Sequence, residues 1–238
     1  MPTRHARTGM LATMLEGMLV PPLCWGCGGV ARRREPLCGG CRGLLRRLAP
    51  DPVLLCGVRT WAPVAYSGPA RDLVRALKFR GASAVADAMA AQMAANAPAG
   101  LLAAANAPAG LRGPPAGGLR GAPWPVLVPV PLHPRRLRRR GYNQAALIAD
   151  ALARRAGLEV ADCLARTGSA ATQVGRDRSE RRAGPAGSVE ARGPVPGRVL
   201  LVDDVATTGA TLAACAAAAC AAGAAEVAAL VFARTIGR

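Results

Sequence analysis

The residues of this chain whose types and spacing could do chemistry fall into two groups. The first is VLLVDDVATTGAT, from Val199 to Thr211. Four apolar residues give way to Asp203 and Asp204, and then to Thr207, Thr208, Gly209, Ala210 and Thr211. Adjacent carboxylates repel each other, so structure alone disfavours them. They make sense if they accept hydrogen bonds from the vicinal hydroxyls of a sugar, or help to hold a hydrated Mg²⁺. The turn that follows opens a helix, whose free N–H groups and dipole favour an anion. Its threonine hydroxyls add donors, and Gly209 lets the backbone come close. Together the stretch would hold a ribose by its diol and a phosphate at its 5′ end. An ordinary strand–turn–helix with Asp and Thr as N-caps explains one aspartate or one threonine, but not both doublets.

The second group is Cys24, Cys27, Cys38 and Cys41, in CWGCGGVARRREPLCGGCRG. Each C-x2-C pair turns two sulfurs toward one ion, and two such pairs give a closed tetrahedral site suited to structural Zn²⁺. Its work would be folding, because this segment has little core of its own. Two disulfides are disfavoured by the lack of an evident secretion signal. A doubled motif also argues against a redox role. Cys56, Cys163, Cys215 and Cys220 have no such partners and read as small buried hydrophobes.

Charge narrows the partners. The net charge is +17, and 31 residues are Lys or Arg, of which Lys78 is the single lysine. Such a surface favours phosphate-bearing partners, although runs of arginine can also be merely solvated. One retained ammonium fits a need for a compact point charge. Aromatic residues make up 3%, too few for a platform that stacks bases. The two histidines, His5 and His133, offer no convincing general base.

The elements that must position these residues alternate. A strand and helix span Thr60–Phe79, with Leu73, Val74 and Leu77 on the apolar face. A buried strand covers Val126–Val130. The basic HPRRLRRRGYNQ follows it, then a helix from about Asn143 to Ala156 that stops at Gly157. A short apolar piece spans Leu158–Leu164. The end is a β-α-β unit: strand Val199–Val202, helix from about Gly209 to Ala222, and strand Val227–Ala233. This alternation predicts an α/β fold, with helices flanking a parallel sheet. Ligands bind past the carboxyl ends of such strands, where both HPRRLRRRGYNQ and DDVATTGAT fall. Residues 1–59 are expected to form an N-terminal helix and the zinc-binding module, and 60–238 the α/β domain. Leu11, Met14, Leu15 and Met18 share one side of that helix. NAPAGL occurs twice, and roughly 96–123 reads as a low-complexity insertion. The alanine run Ala210–Ala225 is too weakly apolar for a membrane span, so a soluble, cytoplasmic protein is expected.

VLLVDDVATTGAT resembles the 5-phosphoribosyl-1-pyrophosphate (PRPP) binding motif of type I phosphoribosyltransferases. PVPLHPRRLRRRGYNQAALIADALA, ALKFRG, TQVGRDRSERRAG and the four-cysteine head further resemble the ComF family, phosphoribosyltransferase-like proteins linked to bacterial competence for DNA uptake. The resemblance covers most of the chain outside the insertion. It implies a type I phosphoribosyltransferase-like sheet and binding of PRPP with Mg²⁺. It assigns Asp203 and Asp204 to the ribose hydroxyls and Thr207, Thr208, Gly209, Ala210 and Thr211 to the 5′-phosphate. Arg140, Asn143 and Gln144 fall near the pyrophosphate or over the site, and Lys78 becomes a cation on the pyrophosphate side. Gln173 and Arg181 belong to a polar segment that departs from the family pattern, with Gly184 in place of an Asn. The resemblance leaves two activities open. One is phosphoribosyl transfer to a nitrogen acceptor. The other is a non-catalytic role in binding single-stranded DNA beside other competence proteins.

Overall fold

The computed structural model describes residues 22–33, 35–79, 83–98, 100–102, 125–167 and 188–237. The expected N-terminal helix, Gln173, Arg181 and all of the insertion beyond residue 102 lie outside these.

The described chain begins with the four-cysteine segment, which contains one short helix, α1 (Gly39–Gly43). A hairpin follows: β1 (Val53–Leu55) pairs antiparallel with β2 (Val58–Trp61). β2 and β3 (Val64–Ala65) then lie in succession along one side of β8 (Glu226–Arg234). Beyond β8 come β7 (Arg198–Ala206) and β4 (Val126–Pro129). All of these neighbours except β1 run parallel. The expected α/β class with a mainly parallel sheet is therefore observed. The sheet begins at Val53, so the expected division between residues 59 and 60 falls inside β2. A second, two-stranded sheet pairs β5 (Leu164–Thr167) with β6 (Ser188–Ala191).

Helices cover both faces, and the side-chain alternation of β7 assigns them. Leu200 and Val202 pack with residues of α2 (Gly68–Phe79), α3 (Ser83–Asn96) and α5 (Gln144–Ala156). Val199 and Leu201 pack with Leu212 and Cys215 of α6 (Ala210–Ala221). The expected strand and helix within Thr60–Phe79 and the expected helices at about Asn143–Ala156 and Gly209–Ala222 are all present.

Four expectations need correction. The strand read as Val199–Val202 continues to Ala206, because Val205 and Ala206 keep pairing with Ala233 and Arg234. Helix α3 runs through Asn96, where the insertion was expected to begin, and Leu101 is buried. The basic stretch after β4 is itself helical, α4 (Pro134–Arg140), and ends at Gly141 in the left-handed region. Cys163 and Cys215 are buried as expected, but Cys56 and Cys220 are exposed. Cys56 occupies a tight hairpin turn, and Cys220 lies on the outer side of α6.

No helix among the described residues is long and apolar enough to cross a membrane.

Candidate functional site

Parallel pairing brings the carboxyl ends of β4, β7 and β8 to one edge. Val130 extends the β4 pairing by donating its N–H to Val202 O at 2.9 Å. Immediately past Val202, β7 presents Asp203 and Asp204 to opposite faces of the sheet.

Asp204 continues the face of Leu200 and Val202. It is 3% exposed, and its Oδ2 lies 2.8 Å from Lys78 Nζ at the end of α2. A buried carboxylate requires such a counterion. Lys78 was expected as a cation facing pyrophosphate; here its first partner is Asp204. Its ammonium carries three donors, so it can still meet a further anion.

The RGYNQ loop packs against the same corner. Asn143 caps α5 by accepting from Ala145 N–H at 3.1 Å, and donates to Val130 O at 3.0 Å. Tyr142 donates its hydroxyl to Leu77 O. Arg140 donates to Gln144 Oε1 and lies over the Phe79 ring, 5.7 Å from its centre. Arg140, Asn143 and Gln144 thus pack around the elements that carry Lys78 and Asp204. His133 accepts from Arg135 N–H and caps α4, which gives it a structural task.

Asp203 points toward α6. Burial, and after it the charge of Asp204, push its carboxyl well above the usual carboxylate range. Its Oδ1 accepts from the N–H of Asp204 at 2.8 Å. The same burial-first logic, helped by the charge of Asp203, pushes the Cys215 thiol up to about 12. That thiol is inert at neutral pH.

The turn from Thr207 to Thr211 closes the site. Thr207 and Thr208 are exposed. Thr208 Oγ1 accepts from Ala210 N–H at 3.3 Å. The helix start is otherwise uncapped, because Gly209 has no side chain to offer. Gly209 sits at φ +87°, and a Cβ there would lie 2.6 Å from Leu55 Cβ and 3.0 Å from its carbonyl carbon. Only glycine fits. Gly209→Ala should lower the denaturant midpoint by a loss of about 1–3 kcal/mol. An unchanged midpoint would show that the β1–β2 turn yields freely.

Two residues near this turn carried no local signal in the sequence. Arg166, on β5, donates to Thr211 Oγ1 at 3.0 Å, and its buried Nε has no hydrogen-bond partner among the described residues. It is one arginine among many, and nothing around it marks it. Cys56, in the β1–β2 turn, donates its thiol to Thr208 O at 3.2 Å.

The four cysteines form a separate centre. The Sγ atoms of Cys24, Cys27, Cys38 and Cys41 all lie within 4.8 Å of one another, and those of Cys27 and Cys38 are 3.7 Å apart. Four thiolates about 2.3 Å from a tetrahedral Zn²⁺ would be about 3.8 Å apart, so the set fits that ion. The cysteines are not joined as disulfides. Burial raises the Cys24 thiol, but the N–H groups of Cys38, Cys27 and Gly26 outweigh it and bring the value down to about 6. Cys41 is pushed up to about 12 by burial and by hydrogen bonds with the other three thiols. A divalent cation would displace the remaining protons. Gly26 keeps the knuckle tight: a Cβ there would come 3.0 Å from Cys41 Sγ.

No protein-family model matches the chain, and no curated protein matches it in sequence. Solved structures do. Hypoxanthine phosphoribosyl transferase of Trypanosoma cruzi is similar over 45% of this chain and 49% of that one, at 17% identity and a TM-score of 0.29. An HPRT with an invariant aspartic acid replaced by asparagine is similar over 48% and 54%, at 18% identity and a TM-score of 0.29. For the glutamic acid replacement the figures are 49% and 56%, 18% identity and 0.30. The chain spans about half the length of each.

Proposed function

We propose that this chain binds PRPP with Mg²⁺ at the carboxyl edge of β4 and β7, and transfers the phosphoribosyl group to a nitrogen acceptor. The observation that carries this is Asp204. It is a buried carboxylate in the last stretch of β7, held by the chain's single lysine, ahead of a turn whose Gly209 offers the following helix no side-chain cap. A fold gains little by burying an ion pair there, whereas a ligand diol gains an oriented acceptor.

Each residue then has a task. The N–H groups of 207–211, the threonine hydroxyls and Arg166 would hold the 5′-phosphate. Asp203 and Asp204 of β7 would take the ribose hydroxyls and the hydrated Mg²⁺. Lys78 and Arg140 would face the pyrophosphate. Bound Mg²⁺ would neutralise charge on the leaving group. The acceptor nitrogen forms the new bond to the anomeric carbon as the bond to pyrophosphate oxygen breaks, and the proton on nitrogen passes to solvent. Orientation and charge neutralisation carry the rate, so no strong general base is needed.

Titration calorimetry with PRPP and Mg²⁺, followed by a pyrophosphate-release screen over nucleobases and amines, tests both halves. No heat at millimolar PRPP overturns the binding site. Binding without release for any acceptor removes the transfer step and leaves a PRPP-binding protein.

A specific feature also supports the non-catalytic alternative. Arg135, Arg136, Arg138 and Arg139 of α4 are all exposed, close to the site. Such a cluster fits a sugar–phosphate backbone, and single-stranded DNA should bind at low salt with an affinity that falls steeply as salt rises. An affinity that stays flat to physiological salt would rule out this electrostatic contact. The competence-linked partners implied by the family resemblance belong to this alternative.

A further inference from the structure

Three successive carbonyls where β7 gives way to the threonine turn are tied down by groups from elsewhere in the chain. Ala206 O accepts from the N–H of Thr235 at 3.0 Å. Thr207 O accepts from the hydroxyl of the same Thr235 at 3.3 Å. Thr208 O accepts from the thiol of Cys56 at 3.2 Å. Thr235 follows β8, and Cys56 sits at the tip of the β1–β2 hairpin. Cys56 is 152 residues from Thr208 in sequence and Thr235 is 28 from Thr207, so only the sheet brings them to this turn.

A trans peptide points its N–H away from its own C=O. Holding the carbonyls of 206, 207 and 208 therefore turns the N–H groups of Thr207, Thr208 and Gly209 away from Thr235 and Cys56. Among the described residues no acceptor meets these three N–H groups. They stand directly ahead of α6, whose dipole favours the same negative charge.

We infer that Cys56 and Thr235 are positioning residues for the phosphate turn: they hold the carbonyls of Thr207 and Thr208 so that the neighbouring N–H groups are already aimed at an anion. Their role presupposes that 207–211 holds the 5′-phosphate of PRPP. They act through the backbone of the turn, which then pays less to be ordered when the ligand arrives.

The hairpin alone does not account for a cysteine at its tip. Leu55 pairs with Val58, which leaves a two-residue turn with φ of +46° at Cys56 and +84° at Gly57. Such turns favour glycine or asparagine at both positions. Cys56 is the single non-glycine residue in the left-handed region among those described. An unfavourable backbone angle of this kind persists where the surroundings hold it. The thiol on Thr208 O is one such hold. The close approach of Leu55 to Gly209 is another, so the hairpin meets two consecutive residues of the turn.

Titration calorimetry with two ligands tests the assignment on the full, zinc-loaded chain. Mg²⁺–PRPP carries the 5′-phosphate; Mg²⁺–pyrophosphate lacks it and meets only the Lys78 side. Cys56→Gly suits the hairpin turn and Thr235→Val keeps the side-chain size, and each removes one donor. The double variant should bind PRPP about fivefold more weakly or worse, with pyrophosphate affinity within about twofold of the parent. Cys56→Ser with Thr235→Ser restores both donors, and PRPP affinity should return to within about twofold of the parent. A parent chain that binds PRPP no better than the Gly/Val variant overturns the positioning role and leaves the PRPP site standing. Equal losses for both ligands, or no recovery in the Ser/Ser variant, overturn it too, because the donors would then serve only the fold. A parent chain that does not bind PRPP overturns the site, and the positioning role with it.

Discussion

Asp203→Asn should weaken binding of Mg²⁺–PRPP at least tenfold, about 1.4 kcal/mol or more, without lowering the melting temperature. The two halves of this expectation come from one cause. Burial, followed by the charge of Asp204, holds the Asp203 carboxyl above its ordinary range. A carboxyl raised in the fold contributes stability that is full below its unfolded pKa and is lost as pH rises through the folded one. Asparagine cannot ionise, so the variant should lose less stability than the parent at alkaline pH. The ligand asks for the opposite state. A ribose diol and a hydrated cation want the carboxylate, so binding to the parent protein should release a proton and tighten as pH rises. The variant should lose that pH dependence. Calorimetry in two buffers of different ionisation enthalpy reads the proton, and a thermal melt reads the fold. A lower melting temperature with unchanged PRPP affinity would make Asp203 a structural cap and nothing more.

Asp204→Asn separates the two carboxylates further. It leaves the Lys78 ammonium without the partner now 2.8 Å away, so both affinity and stability should fall. Lys78→Met in the same chain removes the stranded charge. Stability should then recover while affinity does not, a non-additivity that only a contacting pair shows.

The elements around this site were legible where the chemistry is local. Two C-x2-C pairs state their geometry in their spacing, and the four sulfurs do converge. Helix α5 was expected from about Asn143 to a stop at Gly157, and these two residues turn out to cap it. Helix α3 gave no warning, because alanine on nearly every side leaves no apolar stripe; only Val85, Met89 and Met93 mark its buried face. The acidic doublet was read as leaving the sheet at Val202. Instead, pairing runs on to Ala206, and that extra length is what sends Asp203 and Asp204 to opposite faces. Contacts across long sequence separations were invisible for a simpler reason. Nothing beside Lys78 names Asp204, and nothing beside Arg166 names Thr211, until the parallel sheet places them together.

Stripping zinc should unfold the cysteine segment, and the purified chain should carry one ion. Four thiolates closing on a single Zn²⁺ contribute about 10–16 kcal/mol of apparent binding free energy in small zinc modules, more than a short segment gains from its own core. Cys24, Leu37, Cys41 and Leu45 are buried, but they pack into the same core as Leu73 and Val74 of the body. Chelation should therefore expose Trp25, which packs against that core, and shift its fluorescence. It should also lower the melting temperature of the body, because Leu73 loses its cover. Ion binding must displace the protons that burial keeps on Cys41, whereas Cys24, at about 6, gives up its own near neutrality. Zinc affinity should accordingly rise with pH from about 6 upward, with proton release on binding. Cys41→Ser should abolish the ion, since a serine hydroxyl there would have to ionise at a buried position. Metal analysis of wild type and variant, with fluorescence followed through a chelator titration, decides the matter. A metal-free preparation whose Trp25 signal ignores the chelator would mean that the four sulfurs are held by the fold and not by an ion.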